Sequence, residues 1–197
     1  TSDVSIAVSS SDTSEATISP SSLTFGSSNY STLQTVTVTG VDDFYDDDNV
    51  SYTITVDPSS SIASYNTMTS STVTGSNIDN DTAAITVGAK SGNTSEFGTT
   101  ATINVTLATI PTANVSIVVT DNDSTEVSIT PTTLTITPST WNTTNQVTLT
   151  GQDDSDNDGN ITFRISFDNA TSTDSKYNGM APSPAYVDVI NVDDYAD

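Results

Sequence analysis

Apolar and polar residues alternate along most of this chain, with few longer apolar runs. A period of two places the apolar side chains on one face of an extended strand. The alternation predicts strands at residues 35–39, 51–56, 84–87, 99–107, 115–119, 146–150 and 162–167. No segment has the 3.6-residue period of an amphipathic helix. The pattern therefore predicts an all-β chain in which helix is limited to short turns.

The sequence also repeats itself at a separation of 111 residues, which relates Pro20 to Pro131 and Gly40 to Gly151. The matching segments pair residues 3–10 with 114–121, 18–25 with 129–136, 36–43 with 147–154, and 50–57 with 161–168. The separation grows slightly later in the repeat, where Tyr65 matches Tyr177. A repeat of this length has the size of one Ig-like antiparallel β-sandwich.

Two tandem modules follow from the repeat, an incomplete one over residues 1–81 and a complete one over 82–197. The first has no counterpart of residues 84–111, which contain two predicted strands, so we expect it to lack its opening strands. Two explanations are open. The sequence begins part-way through a repeat, or a strand of a neighbouring subunit fills the gap by β-augmentation.

The charge balance is strongly acidic, with 25 Asp and Glu against 3 Lys and Arg and a net charge of −22. Such a surface repels nucleic-acid phosphates and repels itself unless cations neutralise it. The absence of Cys and His excludes disulfides, zinc sites and histidine catalysis. No signal peptide or transmembrane run is visible. We expect a piece of a longer, extracellular or cell-surface protein without membrane insertion.

The clustered carboxylates are candidate ligands of a metal ion, because Ca²⁺ binds six to eight oxygen ligands in irregular geometry. The clusters lie in the loop after the Thr-Gly motif, at the end of each module, and in the opening hairpin of the second module. The predicted Ca²⁺ ligands are Asp42, Asp43, Asp46, Asp48, Asp79, Asp81, Glu96, Asp153, Asp154, Asp156, Asp158, Asp193 and Asp194. The alternative interpretation is that these residues form solvated turns, which Asp and Asn favour.

Residues 95–107, residues 129–154 and the closing Asn-Val-Asp-Asp of residues 191–194 resemble Calx-beta-related repeats of large bacterial surface and adhesin-like proteins. The resemblance covers the second module fully and the first from its third strand. It implies an Ig-like sandwich with Ca²⁺ near the module ends. By this resemblance, the shared metal site of the second module consists of Glu96, Asp153, Asp154, Asp193 and Asp194.

In the first module the same positions are Asp42, Asp43, Asp79 and Asp81, and we expect no Glu partner for them in the chain. The sequence also departs from the family after the double Asp. Glu residues are usual there, whereas Asp and Asn stand here.

The predicted function is that of a structural spacer in a surface adhesin, filament or sheath, in which Ca²⁺ stiffens acidic loops and module junctions. The expected partners are neighbouring repeats or subunits. Alternatives are an adhesin module that binds carbohydrate or another surface, and a filament subunit that polymerises by strand complementation. Paired carboxylates could serve a glycosidase, but no cleft-forming insertion accompanies them, so we expect no enzymatic activity. Trp141, which aligns with Tyr30, is interpreted as a cover of the sandwich core.

Overall fold

Strands account for nearly all regular structure in the computed structural model, which describes residues 2–154 and 158–193. The chain divides into two units. The first consists of Thr1–Asp43 and Asp47–Asn80, and the second of Phe44–Asp46 and Asp81–Asp197. The tripeptide Phe44–Asp46 is thus assigned to the second unit, although the residues on both sides of it in the sequence belong to the first.

Antiparallel strands build the first unit. Its described elements are β1 (Val4–Ser10), β2 (Ala16–Ser19), β3 (Ser22–Phe25), β4 (Thr37–Gly40), β5 (Val50–Ser60), the helix α1 (Ala63–Asn66) and β6 (Ser71–Asn77). Four strands form a sheet in the order β3-β1-β5-β6, and β2 pairs with β4 in a second, two-stranded sheet. The helix has only four residues, in agreement with the prediction that helix is limited to short turns.

Two larger sheets build the second unit. Its described strands are β7 (Ile85–Val87), β8 (Thr94–Ser95), β9 (Thr100–Leu107), β10 (Val115–Asp121), β11 (Val127–Thr130), β12 (Thr133–Ile136), β13 (Asn145–Gly151), β14 (Ile161–Phe167) and β15 (Tyr186–Val192). One sheet has the order β12-β10-β14-β15-β8 and the other β11-β13-β9-β7. All pairs are antiparallel except that of β15 with β8.

Burial follows the alternation in the second unit. In β9, for example, Ala101, Ile103, Val105 and Leu107 are buried, and the residues between them are more exposed. Side chains from both sheets contribute to one core of 21 buried apolar residues among those described. The predicted all-β sandwich fold is therefore confirmed, and strand ends differ from prediction by few residues, as at β9, predicted over 99–107.

Burial is much thinner in the first unit. Among its described residues only Val8, Ala16 and Ile54 are buried apolar side chains. The strands β1 to β6 correspond through the repeat to β10 to β15. As expected from the sequence, no described strand of the first unit corresponds to β7, β8 or β9.

Candidate metal centre

Strand pairing brings three distant parts of the first unit together at one end. Ala16 at the start of β2 pairs with Gly40 at the end of β4. Val50 at the start of β5 pairs with Asn77 at the end of β6. The residue before β2, the loop from β4 to β5, and the segment after β6 are therefore neighbours.

Three carboxylates converge at this end. One carboxylate oxygen from each of Glu15, Asp43 and Asp47 lies within 4.8 Å of the others. Glu15 is buried, Asp43 is partly buried and Asp47 is exposed. Oxygens that bind one Ca²⁺ at 2.3–2.6 Å lie at most about 5 Å apart. The cluster could therefore hold a metal ion.

A partly buried amide fixes the glutamate of this cluster. Nδ2 of Asn77 donates hydrogen bonds to Oε2 of Glu15, at 3.2 Å, and to the carbonyl of Val41, at 2.7 Å. The Val41 N–H in turn donates to the carbonyl of Glu15, at 3.0 Å. The side chain of Asn77 thus joins the end of β6 to the strand pair that carries Glu15.

A further carboxylate, that of Asp79, fixes the conformation of the loop from β4 to β5. Oδ2 of Asp79 accepts hydrogen bonds from the backbone N–H groups of Asp47 and Asp48, at 3.1 and 3.0 Å. The N–H of Asp79 donates to Oδ1 of Asn49, at 3.0 Å. Asp48 has a positive φ of 65°, a left-handed conformation that Asp tolerates better than most residues. Asp79 therefore stabilises the turn that places Asp47 in the cluster.

The electrostatics of the cluster favour a positive ion. Loss of hydration raises the pKa of the Asp47 carboxyl above its usual value, and the charges of Glu15 and other nearby carboxylates raise it further. A raised pKa means that the negative charge is disfavoured where it stands. A bound cation would relieve this repulsion.

The same scaffold recurs in the second unit. Glu126, which corresponds to Glu15, is 4% exposed. Nδ2 of Asn191 donates to Oε2 of Glu126, at 3.1 Å, and to the carbonyl of Gln152, at 3.2 Å. The Gln152 N–H donates to the carbonyl of Glu126, at 3.0 Å. Each of these bonds has its counterpart in the first unit, at Asn77 or Val41, so the arrangement is a property of the repeat.

The loop scaffold recurs as well. Oδ2 of Asp193 accepts from the N–H of Gly159, at 2.8 Å, and the Asp193 N–H donates to Oδ1 of Asn160, at 3.2 Å. Gly159 has a positive φ of 79° at the position of Asp48. Asp193 is buried, with 5% exposure, and so fills the role that Asp79 has in the first unit.

Burial raises the pKa of Glu126, and the charges of three acidic neighbours add to this effect, although the hydrogen bond from Asn191 opposes it. Those neighbours are Asp158, Asp123 and Asp154. The second unit therefore also concentrates negative charge around one buried glutamate.

The predicted ligands divide into several groups. Asp43 belongs to the three-carboxylate cluster, and Asp79 and Asp193 accept hydrogen bonds from their loops. Asp154 and Asp158 act on the pKa of Glu126. Exposed positions are occupied by Asp42, Asp48, Asp153, Asp154 and Asp158. Asp81 is partly buried and belongs to the second unit. Asp156 and Asp194 lie outside the described residues.

Asp46 has a different role from the predicted one of metal ligand. It belongs to the second unit, where its Oδ1 lies 2.6 Å from Nζ of Lys176. Its Oδ2 accepts the N–H of Ala83, at 2.8 Å. The hydrogen bond from Lys176 holds the pKa of Asp46 below its usual value. An ammonium group thus already compensates this carboxylate.

Glu96 was predicted from the family resemblance. It is 7% exposed, and its N–H donates to the carbonyl of Val192, at 3.1 Å. The register of β8 with β15 pairs Ser95 with Val192, so Glu96 follows β8 at the end of the sheet where Asp193 follows β15.

Sequence reasoning missed the two glutamates and Asp47. Glu15 and Glu126 were missed because no acidic run surrounds them. A signal was nevertheless present, since Asp12 and Glu15 recur at the repeat separation as Asp123 and Glu126, each pair enclosing Ser and Thr. The first unit thus has a glutamate at its cluster, contrary to the expectation that none was available.

Trp141 covers the core, as interpreted from the sequence. It is partly buried and packs against the core of the second unit. Its ring centroid lies 5.8 Å from that of Phe44, with the planes tilted by 40°. The aligned residue of the first unit, Tyr30, is 76% exposed.

Comparisons with known proteins add little. No protein-family model and no curated protein matches the chain. One similar solved structure is described as surface layer protein SbsC, domains 1–6, with 15% identity and a TM-score of 0.34. The match covers 95% of this chain but spans only 20% of that one. At this score the likeness carries no argument, and the resemblance to Calx-beta repeats stays a prediction.

Among the described helices, none is long and apolar enough to span a membrane.

Proposed function

We propose that this chain is a structural repeat segment of an extracellular surface protein, and that each unit binds Ca²⁺ at its acidic end. The ion compensates carboxylates that the strands force together. The role is mechanical rather than catalytic. Surface location is proposed from the acidic, Cys-free composition and the tandem repeat.

One observation carries the proposal. The two units share a buried glutamate, an asparagine that donates to it, and an aspartate that holds the acidic loop. Solvated turns do not require a buried glutamate with the same amide partner in both copies. Because buried charges are costly unless compensated, the recurrence favours a bound cation over a chance cluster.

The ligand chemistry favours Ca²⁺ among common cations. All candidate ligands are oxygens, and the chain has no Cys or His for softer metals. Mg²⁺ requires near-octahedral geometry at shorter distances, whereas Ca²⁺ accepts irregular shells. A loop fixed through Asp79 and a strand-borne Glu15 provide such an irregular set.

Binding to the folded state alone stabilises a unit by mass action, by about 2.7 kcal/mol at a free ion concentration of 100 times Kd. For a unit of this size, that corresponds to a rise in Tm of about 10–20 °C. Without Ca²⁺, the repulsion at Asp47 and Glu126 destabilises the ends of both units.

The test is thermal unfolding with Ca²⁺ and with chelator, together with titration calorimetry. The decisive variant is Asp47→Asn, and the matched control is Asp57→Asn, which removes the same charge from an exposed strand position. We expect Asp47→Asn to stabilise the chelated first unit, because repulsion is relieved, and to weaken its response to Ca²⁺. Asp57→Asn should leave the response unchanged.

Hydrogen exchange resolved by segment assigns the response to each unit. Protection by Ca²⁺ should increase in the loops from β4 to β5 and from β13 to β14. Equal responses to Ca²⁺ in both variants, or no heat of binding, would refute the site. A larger stabilisation by Mg²⁺ than by Ca²⁺ would refute the identity of the ion.

A further inference from the structure

Asparagine is followed two positions later by Ser or Thr more often than the composition explains. Ser and Thr occupy 69 of the 197 positions, so about six of the 16 asparagines would be followed in this way by chance. Ten are, and none of these triplets has Pro in the middle. Such Asn-X-Ser/Thr triplets are acceptors for N-linked oligosaccharides. They begin at Asn29, Asn49, Asn80, Asn93, Asn104, Asn114, Asn122, Asn142, Asn160 and Asn169.

Exposure distinguishes the triplet asparagines of the second unit from its more buried ones. An attached oligosaccharide is bulky and hydrophilic, so its asparagine must lie at the surface. Asn145 is partly buried and Asn191 is 1% exposed, and neither begins a triplet. All seven triplet asparagines of this unit are exposed, namely Asn93, Asn104, Asn114, Asn122, Asn142, Asn160 and Asn169.

The amides of these seven residues use their oxygen rather than their nitrogen. Oδ1 of Asn122 accepts the N–H of Arg164, at 2.6 Å, and Oδ1 of Asn160 accepts the N–H of Asp193, at 3.2 Å. No Nδ2 of the seven donates a hydrogen bond to a described residue. N-glycosylation joins the sugar to Nδ2 and leaves Oδ1 as an acceptor. These hydrogen bonds are therefore compatible with an attached glycan.

Asparagines outside the triplets use Nδ2 instead. Nδ2 of Asn145 donates to the carbonyls of Thr140 and Thr143, at 3.1 and 3.0 Å. Nδ2 of Asn191 donates to Glu126, at 3.1 Å. Modification of such an amide would remove donors from groups that are partly or fully buried, which is costly.

Asn29 is an exception among the triplets, because both ends of its amide are bonded. Its Nδ2 donates to the carbonyl of Thr24, at 3.0 Å, and its Oδ1 accepts the N–H of Gly26, at 2.6 Å. It is also only partly buried rather than exposed. We expect Asn29 to stay unmodified, so it serves as a control within the chain.

One triplet is more accessible than the others. Asn142, Thr143 and Thr144 are all exposed and lie in the turn between β12 and β13. Each of the other nine triplets contains at least one buried or partly buried residue. A transferase must contact the asparagine and the hydroxyl two residues later together, and the folded chain presents both groups to solvent here.

We propose that the chain is N-glycosylated and that Asn142 is its principal acceptor. Nδ2 of Asn142 forms a bond to the anomeric carbon of an oligosaccharide that is carried on a lipid diphosphate. The bond from that carbon to the diphosphate oxygen breaks, the lipid diphosphate leaves, and the amide loses one proton. The inference rests on the surface location in the proposed function, but not on bound metal.

The test is glycopeptide mapping of the protein isolated from the cells that naturally produce it. Electron-transfer fragmentation should locate an oligosaccharide on Asn142. Peptides that contain Asn29 should carry none, because its Nδ2 is engaged. Peptides that contain Asn66 or Asn178 should also carry none, because these exposed residues begin no triplet.

Two matched variants, made in the same cells, test the acceptor motif. Thr144→Ala removes the required hydroxyl, whereas Thr143→Ala removes a neighbouring exposed hydroxyl and keeps the triplet. The glycosylated form of the peptide should be lost completely in Thr144→Ala and keep its native occupancy in Thr143→Ala. Asn142→Gln should also lose it. Circular dichroism of the purified variants shows that the fold survives.

A peptide without sugar on Asn142 overturns the proposal, as does sugar found only on Ser or Thr hydroxyls. Equal losses in Thr143→Ala and Thr144→Ala would also overturn it. Protease treatment of intact cells separates this failure from that of the proposed function. If fragments of the chain are released without glycan, only the glycosylation is refuted. If none is released, the surface location fails and this inference fails with it.

Discussion

The substitution Gly151→Ala tests how closely the second unit is packed beside its acidic end. Gly151 is the last residue of β13, and its nearest neighbours are Ser95 of β8 and Asn191 of β15. A Cβ at this position would lie 2.1 Å from the carbonyl oxygen of Ser95 and 2.6 Å from Oδ1 of Asn191. Both distances are far below van der Waals contact. That oxygen of Asn191 is buried without a hydrogen-bond partner, because it packs against the glycine.

The expected loss is about 3 kcal/mol or more in the free energy of unfolding. Overpacking a tight interior costs about 1–3 kcal/mol, and the value belongs at the upper end because a backbone carbonyl cannot rotate away. Displacing Asn191 would also weaken its bond to Glu126, and leaving a buried polar group unsatisfied costs about 1–3 kcal/mol. In urea this corresponds to a midpoint lower by about 1–3 M.

Gly40→Ala is the matched control, because Gly40 occupies the same position in the first unit. Its Cβ would meet only the side chain of Asn77, with Oδ1 at 2.5 Å. No counterpart of β8 lies above it among the described strands. A side-chain amide at an incompletely covered site can move, so the cost should be about 1 kcal/mol.

Urea unfolding followed by tryptophan fluorescence reports the second unit, since the only tryptophan, Trp141, packs against its core. Hydrogen exchange in β2 and β11 compares both units for both substitutions. If Gly151→Ala destabilises the second unit no more than Gly40→Ala destabilises the first, the assigned packing of Ser95 over β13 is wrong.

Three further outcomes are expected. Tyr177→Phe should lower the stability of the second unit by about 1–3 kcal/mol in tryptophan-monitored urea unfolding, because the polar groups of Thr109 lose a buried partner; Tyr65→Phe should change little. Burial raises the pKa of Tyr177, so its contribution should be full below about pH 10, the pKa of an unfolded tyrosine, and should be lost as pH rises through the higher folded-state value. A Tyr177→Phe chain that loses stability equally over that range would contradict this. Lys176→Met leaves the partly buried Asp46 without its ammonium partner and should cost about 1–2 kcal/mol, with a smaller difference at 1 M NaCl; an unchanged urea midpoint would show that the ion pair is not stabilising.

Seven of the described strands were predictable, because apolar and polar residues alternate along them in the sequence. β9 was expected over residues 99–107 and is found at Thr100–Leu107. The sandwich followed from the repeat length together with this alternation. Both signals are local or periodic, so they do not depend on knowing which strands pair.

The cluster was predictable only in part, since it depends on strand pairing. Asp43 lies in a conspicuous acidic run, but Glu15 joins it only because β2 pairs with β4. Within residues 46–48, the sequence cannot show which carboxylate lies close to those of Glu15 and Asp43. That choice depends on the left-handed turn at Asp48 and on its bond to Asp79. Asp47 was therefore missed, whereas Asp46, which faces Lys176, was chosen.

Burial of the apolar face differs between the two units. The same alternation runs through both copies, yet it yields a full core in one unit and three buried apolar side chains in the described part of the other. A pattern that specifies burial on one face of each strand remains unsatisfied when the covering strands are missing. The first unit retains the apolar face at Ile6, Val38 and Tyr65 rather than replacing it with polar residues. The alternation of the first unit therefore follows the repeat and does not by itself show how deeply its strands are buried.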